Sequence, residues 1–319
     1  MTGYADVRRM ILGGVLAQAI HAVTELGVVD RLAAGPATAA SLAADLGLAP
    51  DALTRFLRAL AGEGLFVAVS GKYALTAAGE LLRSDVPGSL RHLSRLMTGE
   101  AYRVWERAPE SLQTGEPAFE AEFGAPLFDW LAARPDRQAE FAAAQAGLVE
   151  RRLEPLLARS WDGVGHVIDV GGGDGTLVRA LLAAHPGLRG TVFDRPGVPF
   201  DVPGARFVGG DFFTSVPPGG DVYVLSQILH DWDDERATRI LRTCRAAMSA
   251  SARLLVLEQV VPEDGGPHPA HLLDLHMLVL LGGRERTEAA WRGLLAAGGF
   301  ELRAVTHGER ASVLEAVPA

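Results

Sequence analysis

Four stretches of the chain place glycines, carboxylates and an imidazole where chemistry is feasible. Asp169-Val-Gly171-Gly-Gly173-Asp-Gly175 ends a short β-branched run, and Thr176-Leu177-Val178 opens a helix directly behind it. Glycines in such a turn let backbone approach a ligand with no Cβ in the way, and they tolerate positive φ. Two later apolar runs also end in acids, at Asp194 and at Asp211-Phe212. The first acid is placed to accept both hydroxyls of a ribose. The second pair offers an acceptor for an exocyclic amine and an aromatic wall for a purine. A fourth run, VYVLSQIL, leads into His230-Asp231-Trp232. Imidazole titrates near neutral pH and suits the removal of a hydroxyl proton, with a nearby carboxylate fixing its tautomer and stabilising the imidazolium.

A glycine-rich turn with an acid on the next strand also marks dinucleotide sites. The dinucleotide spacing G-x-G-x-x-G, counted from Gly171, needs glycine where Thr176 stands. The spacing acid-x-G-x-G-x-G is complete in Asp169, Gly171, Gly173 and Gly175. This favours a site for the sulfonium methyl donor S-adenosylmethionine over a dinucleotide. A merely structural turn is disfavoured because acids end the next two runs as well.

These residues need a sheet to hold them in one line. From about Gly165, β-branched runs alternate with helical stretches: HVIDV, TLVRALLAAH, TVFD, ARFVGGD, DVYVLSQIL, DERATRILRTCRAAM and RLLVLEQVV. That alternation predicts a parallel α/β sheet with crossover helices, whose ligands lie at the carboxyl ends of the strands. Upstream, Met10, Ile11, Leu12, Val15, Leu16, Ala19, Ile20 and Val23 form one helical stripe that needs a partner. Two short helices follow, separated by Gly47. Alternation at Leu65, Val67 and Val69 against Tyr73 and Leu75 predicts a hairpin turned at Ser70-Gly71. The expected organisation is an α/β, Rossmann-like donor-binding domain at 158–319, preceded by a helix-rich winged-helix dimerisation domain at 1–95. A helical connector at 96–157 would line the acceptor pocket.

Composition narrows the partners. The chain has 319 residues and a formal charge of -9, which disfavours a protein built to neutralise phosphates. The second helix of the winged-helix pattern carries Arg55 and Arg58 together with Asp51 and Glu63, so a DNA-binding regulator is the weaker reading and dimerisation the stronger. Cys244 is the sole cysteine, which excludes an internal disulfide and a cysteine zinc cluster and points to the cytoplasm. No signal-peptide cleavage site is evident near the N-terminus, and the run LLDLHMLVLLGG is interrupted by Asp274 and His276, so neither secretion nor a membrane span is expected. His268, His271, Asp274 and His276 do not share a helical face, and no metal site is expected from them.

LSQILHDWDDE, GGRERT at 282–287, VFDRP at 192–196 and GGDFF at 209–213 resemble the O-methyltransferase family that includes plant caffeate and flavonoid enzymes and bacterial antibiotic-tailoring methyltransferases. The resemblance covers almost the whole chain. It implies S-adenosylmethionine as methyl donor, no metal, a small aromatic or polyketide-like acceptor, and a domain-swapped homodimer with interlocked N-terminal helices. It puts the catalytic histidine on His230 and its flanking glutamates on Glu285 and Glu315. Donor contacts fall on Gly171, Asp194, Asp211, Phe212, Ser226 and Trp232, and acceptor-pocket positions on Trp130, Phe141, Gln145 and Met277. Plant relatives carry lysine at the position of Ser226, so that contact differs here. Some relatives lack the histidine and work by positioning. A few use the bound donor for hydroxylation, decarboxylation or cyclisation, and N-methylation is a further alternative. His230 and Glu285 favour transfer to a hydroxyl.

Overall fold

The computed structural model describes residues 3–149 and 152–319. The chain forms two compact units, Met1–Tyr102 with Ala143–Leu148, and Arg103–Ala142 with Val149–Ala319.

In the first unit the N-terminal stripe divides into two helices, Tyr4–Ile11 and Gly13–Glu25. Val23 is buried, whereas Met10, Ile11 and Val15 lie exposed on the chain taken alone. Helix Ala39–Leu46 stops at Gly47, whose φ of 68° suits a residue without Cβ. Helix Pro50–Gly62 follows, with proline in its first turn, where a missing N–H costs nothing. Strands β1 (Phe66–Val69) and β2 (Lys72–Leu75) make an antiparallel hairpin. Ser70 and Gly71 both have positive φ, 51° and 76°, the geometry of a type I′ turn. The inward face of this hairpin differs from the apolar alternation. Phe66 is buried, while Val67 and Val69 are exposed. Pairing of Phe66 with Leu75 and Ala68 with Tyr73 sets the face, and a one-residue difference exchanges inside for outside.

The second unit is built on β3 (His166–Val170), β4 (Arg189–Asp194), β5 (Ala205–Gly209), β6 (Val222–Ser226), β7 (Arg253–Glu258), β10 (Phe300–Thr306) and β11 (Ser312–Pro318), after the two short strands β8 (Val260–Val261) and β9 (Arg286–Thr287) are set aside. The order is β10-β11-β7-β6-β3-β4-β5. Pairs among β3 to β7 are parallel, and β11 joins antiparallel to β7 and to β10. The C-terminal hairpin was not marked by the alternating pattern, since ELRAVT is apolar only in part. Val167, Ile168, Val192, Val222, Val224, Leu255 and Leu257 are all buried, as strands covered by helices on both faces require. Strand order reverses between β3 and β6, and that switch point opens a crevice at the carboxyl edge.

Candidate active site

At the end of β3, Gly171, Gly173 and Gly175 have φ of 77°, 56° and 81°. A Cβ on Gly171 would collide with Ile228 and lie 3.7 Å from Phe212, so the glycine turn and the aromatic after β5 share one pocket wall. Helix Thr176–Ala184 starts directly behind the turn, its first N–H, that of Thr176, donating to Asp174 Oδ1 at 3.0 Å. Asp194, at the end of β4, accepts from Gly173 N–H at 2.7 Å and from Arg195 N–H at 2.6 Å. Desolvation raises its pKa, opposed by those two backbone bonds. Asp211 is exposed and accepts from Phe213 N–H at 2.9 Å. Phe212 and Phe213 stand edge-on to Trp232 at 6.2 and 4.8 Å.

Several polar atoms around this turn are sealed from water without a partner: both carboxylate oxygens of Asp169, the hydroxyl of Ser226 and the indole N–H of Trp232. Burial, with the charges of Asp194 and Asp174 adding to it, pushes the Asp169 carboxyl up to about 8. Buried polar groups are normally satisfied, so this set fits contact with a polar ligand. An amino acid joined to a nucleoside through sulfur offers donors and acceptors of the required kinds.

The neighbouring cluster is centred on His230. Gln227 is left-handed, with φ of 55°, and turns the chain sharply at the end of β6. Its amide donates to Leu257 O at 3.2 Å and to Glu258 Oε2 at 2.9 Å, which holds that strained residue in place. Glu258 Oε1 in turn accepts from Ile228 N–H and Leu229 N–H, each at 3.0 Å. Leu229–Asp231 then form one tight helical turn that presents the ring. From the other side, β8 and β9 pair in parallel and bring the GGRERT segment alongside. Arg286, 2% exposed, donates to the carbonyls of Leu229 and Trp232 at 3.0 and 2.9 Å and pairs with Asp234 at 2.8 Å. Arg284 N–H donates to His230 O at 2.8 Å, and a Cβ on Gly283 would strike that same carbonyl. Asp274 fixes the next residue by accepting from Glu285 N–H at 2.8 Å.

These supports deliver Glu285 to His230 Nδ1 at 2.6 Å, with Glu258 3.8 Å from the same nitrogen and Asp231 3.4 Å from Nε2. Desolvation works against a charged ring, yet the carboxylates of Glu258, Asp231 and Glu285 outweigh it and push the His230 pKa up to about 10. Burial raises Asp231 to about 6 against the opposing charge of His230. Burial likewise raises Glu258, also against His230. The Glu285 bond assigns Nδ1 as the protonated nitrogen and leaves Nε2 to exchange a proton. His230, Glu258 and Glu285 also lie close enough together to hold a cation. Glu258, however, is already engaged by two backbone amides and Gln227, which is the arrangement of an anchor for the ring.

Of the two flanking glutamates implied by resemblance, Glu285 is at the ring and Glu315 is not. Glu315, on β11, pairs across from Leu255 of β7, three residues along from the Ser312–Glu258 pair, or roughly 10 Å along the strand. Arg159 and Arg253 take its carboxylate. Glu258 occupies the place expected for it. The rule that singled out Asp169, Asp194 and Asp211 would have found Glu258, because the run Leu254–Leu257 ends on it.

The acceptor-pocket positions are dispersed. Trp130 is buried against Phe119 and Phe123, with Arg134 over its ring at 4.3 Å. Phe141 stands edge-on to Phe128, which packs 5.7 Å from Trp232. Met277 is buried, and Gln145 belongs to the segment Ala143–Leu148 of the first unit. Two of the histidines on the later helical segment have separate partners: His276 Nδ1 accepts from Trp105 at 3.1 Å, and His271 bonds Gly266 O at 3.0 Å. No helix among the described residues is long and apolar enough to cross a membrane.

Comparison with known proteins gives this geometry its family. Residues 9–85 match the O-methyltransferase dimerisation domain, and residues 105–301 the O-methyltransferase domain. The chain is 40% identical to a phenazine O-methyltransferase of Lysobacter antibioticus, covering 97% of this chain and 95% of that one. It is 41% identical to a 3-amino-4-hydroxybenzoate 4-O-methyltransferase of Streptomyces cremeus, covering 91% and 83%. An O-methyltransferase from neocarzinostatin biosynthesis, solved with S-adenosylmethionine and 2-hydroxy-5-methyl naphthoic acid, superposes with a TM-score of 0.79 at 34% identity, over 95% of this chain and 96% of that one. The chain thus belongs to the O-methyltransferase family, taking its methyl group from S-adenosylmethionine and forming a homodimer through its dimerisation domain.

Proposed function

We propose that the enzyme methylates a hydroxyl of a small aromatic or polyketide-like metabolite in the cytoplasm, with His230 as general base. The observation that carries this reading is the buried 2.6 Å bond from His230 Nδ1 to Glu285 at the edge of the donor crevice. Three named relatives support the acceptor class, since they act on or bind a phenazine, a hydroxybenzoate and a hydroxynaphthoate. Cys244, buried and alone, supports a reducing compartment.

Gly171, Asp194, Asp211, Phe212, Ser226 and Trp232 hold the donor, and Phe141 and Met277 border the acceptor. The bound donor supplies a methyl group on a sulfonium, whose positive charge also disfavours a proton on the neighbouring imidazole. His230 Nε2 takes the hydroxyl proton, and Glu285 and Glu258 orient the ring and stabilise its charge. General-base help is worth about 10² to 10⁴ in rate. The test is incubation with labelled donor and a panel of phenols, aryl acids and polyketides, read by mass spectrometry for an added methyl. His230→Ala is expected to lose at least about tenfold in turnover while binding the donor normally. Unchanged turnover removes the base assignment, and methylation confined to amines replaces the hydroxyl acceptor.

A further inference from the structure

Phe128 stands on helix Leu127–Ala132, whose other face is fixed. Leu127, Trp130 and Leu131 recur at three- and four-residue steps and are buried, with Trp130 tilted onto Phe123 at 5.3 Å and edge-on to Phe119 at 5.8 Å. Phe128 and Asp129 fall outside that stripe. The Phe128 ring packs 5.7 Å from Trp232 at an interplanar angle of 32°, and the Arg195 guanidinium carbon lies 6.0 Å from its centroid. Arg195 is held at both ends: its backbone N–H donates to Asp194 Oδ1 at 2.6 Å and its guanidinium to Asp129 at 2.9 Å. The helix is thus joined to the end of β4 twice, through an ion pair and through the ring beside it.

The sheet order fixes what lies between these partners. β4 ends in Asp194, with Arg195 next, and β6 leads into His230 and Trp232; β3, which leads into the glycine turn, runs between the two. Neighbouring strands lie about 4.8 Å apart, so the ends of β4 and β6 stand about 10 Å apart across that turn. A ring 6.0 Å from a side chain at one end and 5.7 Å from a side chain at the other bridges that gap.

We propose that Phe128 is the wall of the donor crevice opposite the glycine turn, packing on bound S-adenosylmethionine, and that the Asp129–Arg195 pair positions it. This rests on the donor contacts assigned above to Gly171, Asp194 and Trp232. The glycines let backbone approach one side of the ligand, and an aromatic ring covers the other with apolar surface that needs no hydrogen bond. Its third ring partner, Phe141, stands edge-on at 6.2 Å, so Phe128 also separates the donor from the acceptor border. Asp129 and Arg195 keep 62% and 45% of their side-chain surface exposed, so their pair adds little to folding and serves instead to hold the ring.

The test is S-adenosylhomocysteine binding to the dimer by calorimetry. Phe128→Ala should weaken it by about 10- to 100-fold, and Phe128→Tyr, which keeps the ring, by less than about threefold. Phe128→Leu keeps apolar bulk without the plane and carries the test should the alanine variant fail to fold. Arg195→Met retains the backbone bond to Asp194 and loses only the guanidinium. It and Asp129→Asn should each weaken binding by about 2- to 5-fold, and the double variant by no more than either, because both act through one pair. Arg195→Lys should restore part of the loss, and the unliganded pair variants should unfold at an unchanged temperature. Undiminished affinity in Phe128→Leu overturns the proposal. Losses that multiply in the double variant, or an Arg195→Met loss without one in Asp129→Asn, overturn the positioning role of the pair. Asp194→Asn, measured alongside, separates the causes: affinity lost there but kept in the Phe128 variants removes the wall alone, and affinity kept in all of them removes the donor crevice as well.

Discussion

Replacing Glu285 by glutamine isolates the charge that holds the proton on His230. Glutamine keeps the volume and an oxygen to accept from Nδ1–H, so the 2.6 Å bond is retained while the negative charge is lost. Opposite unit charges about 4 Å apart attract by about 4 kcal/mol at an effective dielectric constant near 20. One pH unit corresponds to about 1.4 kcal/mol, so the ceiling on the effect is about three units. Glu258 at 3.8 Å and Asp231 at 3.4 Å remain and keep part of the field. A fall of about one to two units from the starting value of about 10 is therefore expected. The neutral ring is the base, so the activity of the parent enzyme rises with pH toward the ring's pKa. The variant should reach its plateau at lower pH, and that plateau should be lower because a weaker base removes the proton less readily. The linked stability has a definite sign. The folded-state pKa is raised above the ordinary 6.5, so the His230 contribution is full below about 6.5 and is lost as pH rises through about 10. Glu285→Gln should shrink that alkaline loss. The assays are a proton NMR titration of the His230 ring without donor and the pH profile of kcat/KM. A ring midpoint and an acid limb that both stay in place would refute the electrostatic account of this pair.

Two further substitutions probe the parts that hold the site. Asp194→Asn should weaken S-adenosylhomocysteine binding by about 10- to 100-fold in calorimetry, since a charged acceptor is replaced by a neutral one; undiminished affinity removes Asp194 from the ribose contact. Arg286→Met leaves the carbonyls of Leu229 and Trp232 without their donor. It should cost about 2–4 kcal/mol in urea unfolding and reduce turnover more than donor affinity. A loss well under about 1 kcal/mol would mean that water satisfies those carbonyls.

The sequence by itself determined the strand-end cluster to which we assign the donor, because that cluster is made by strand ends. Strands β3, β4 and β5 each stop where an acid or a glycine follows an apolar run, and a parallel sheet aligns those ends along one edge. Period and punctuation in the chain were therefore enough to place Gly171, Asp194, Asp211 and Phe212. His230 was legible for the same reason, and Glu285 through its motif. What only the tertiary structure decided was which side chains converge on the ring. Glu258 and Glu285 reach His230 from separate segments, one through the left-handed turn at Gln227 and the other through the β8–β9 pairing, the Asp274 bond and the Arg286 clamp. Glu315 sits on a strand whose antiparallel register carries it away from that edge and into the reach of Arg159 and Arg253. Register and long-range pairing leave no periodic mark in the chain. These are properties of space between segments, fixed only when the sheet has closed and its helices have packed.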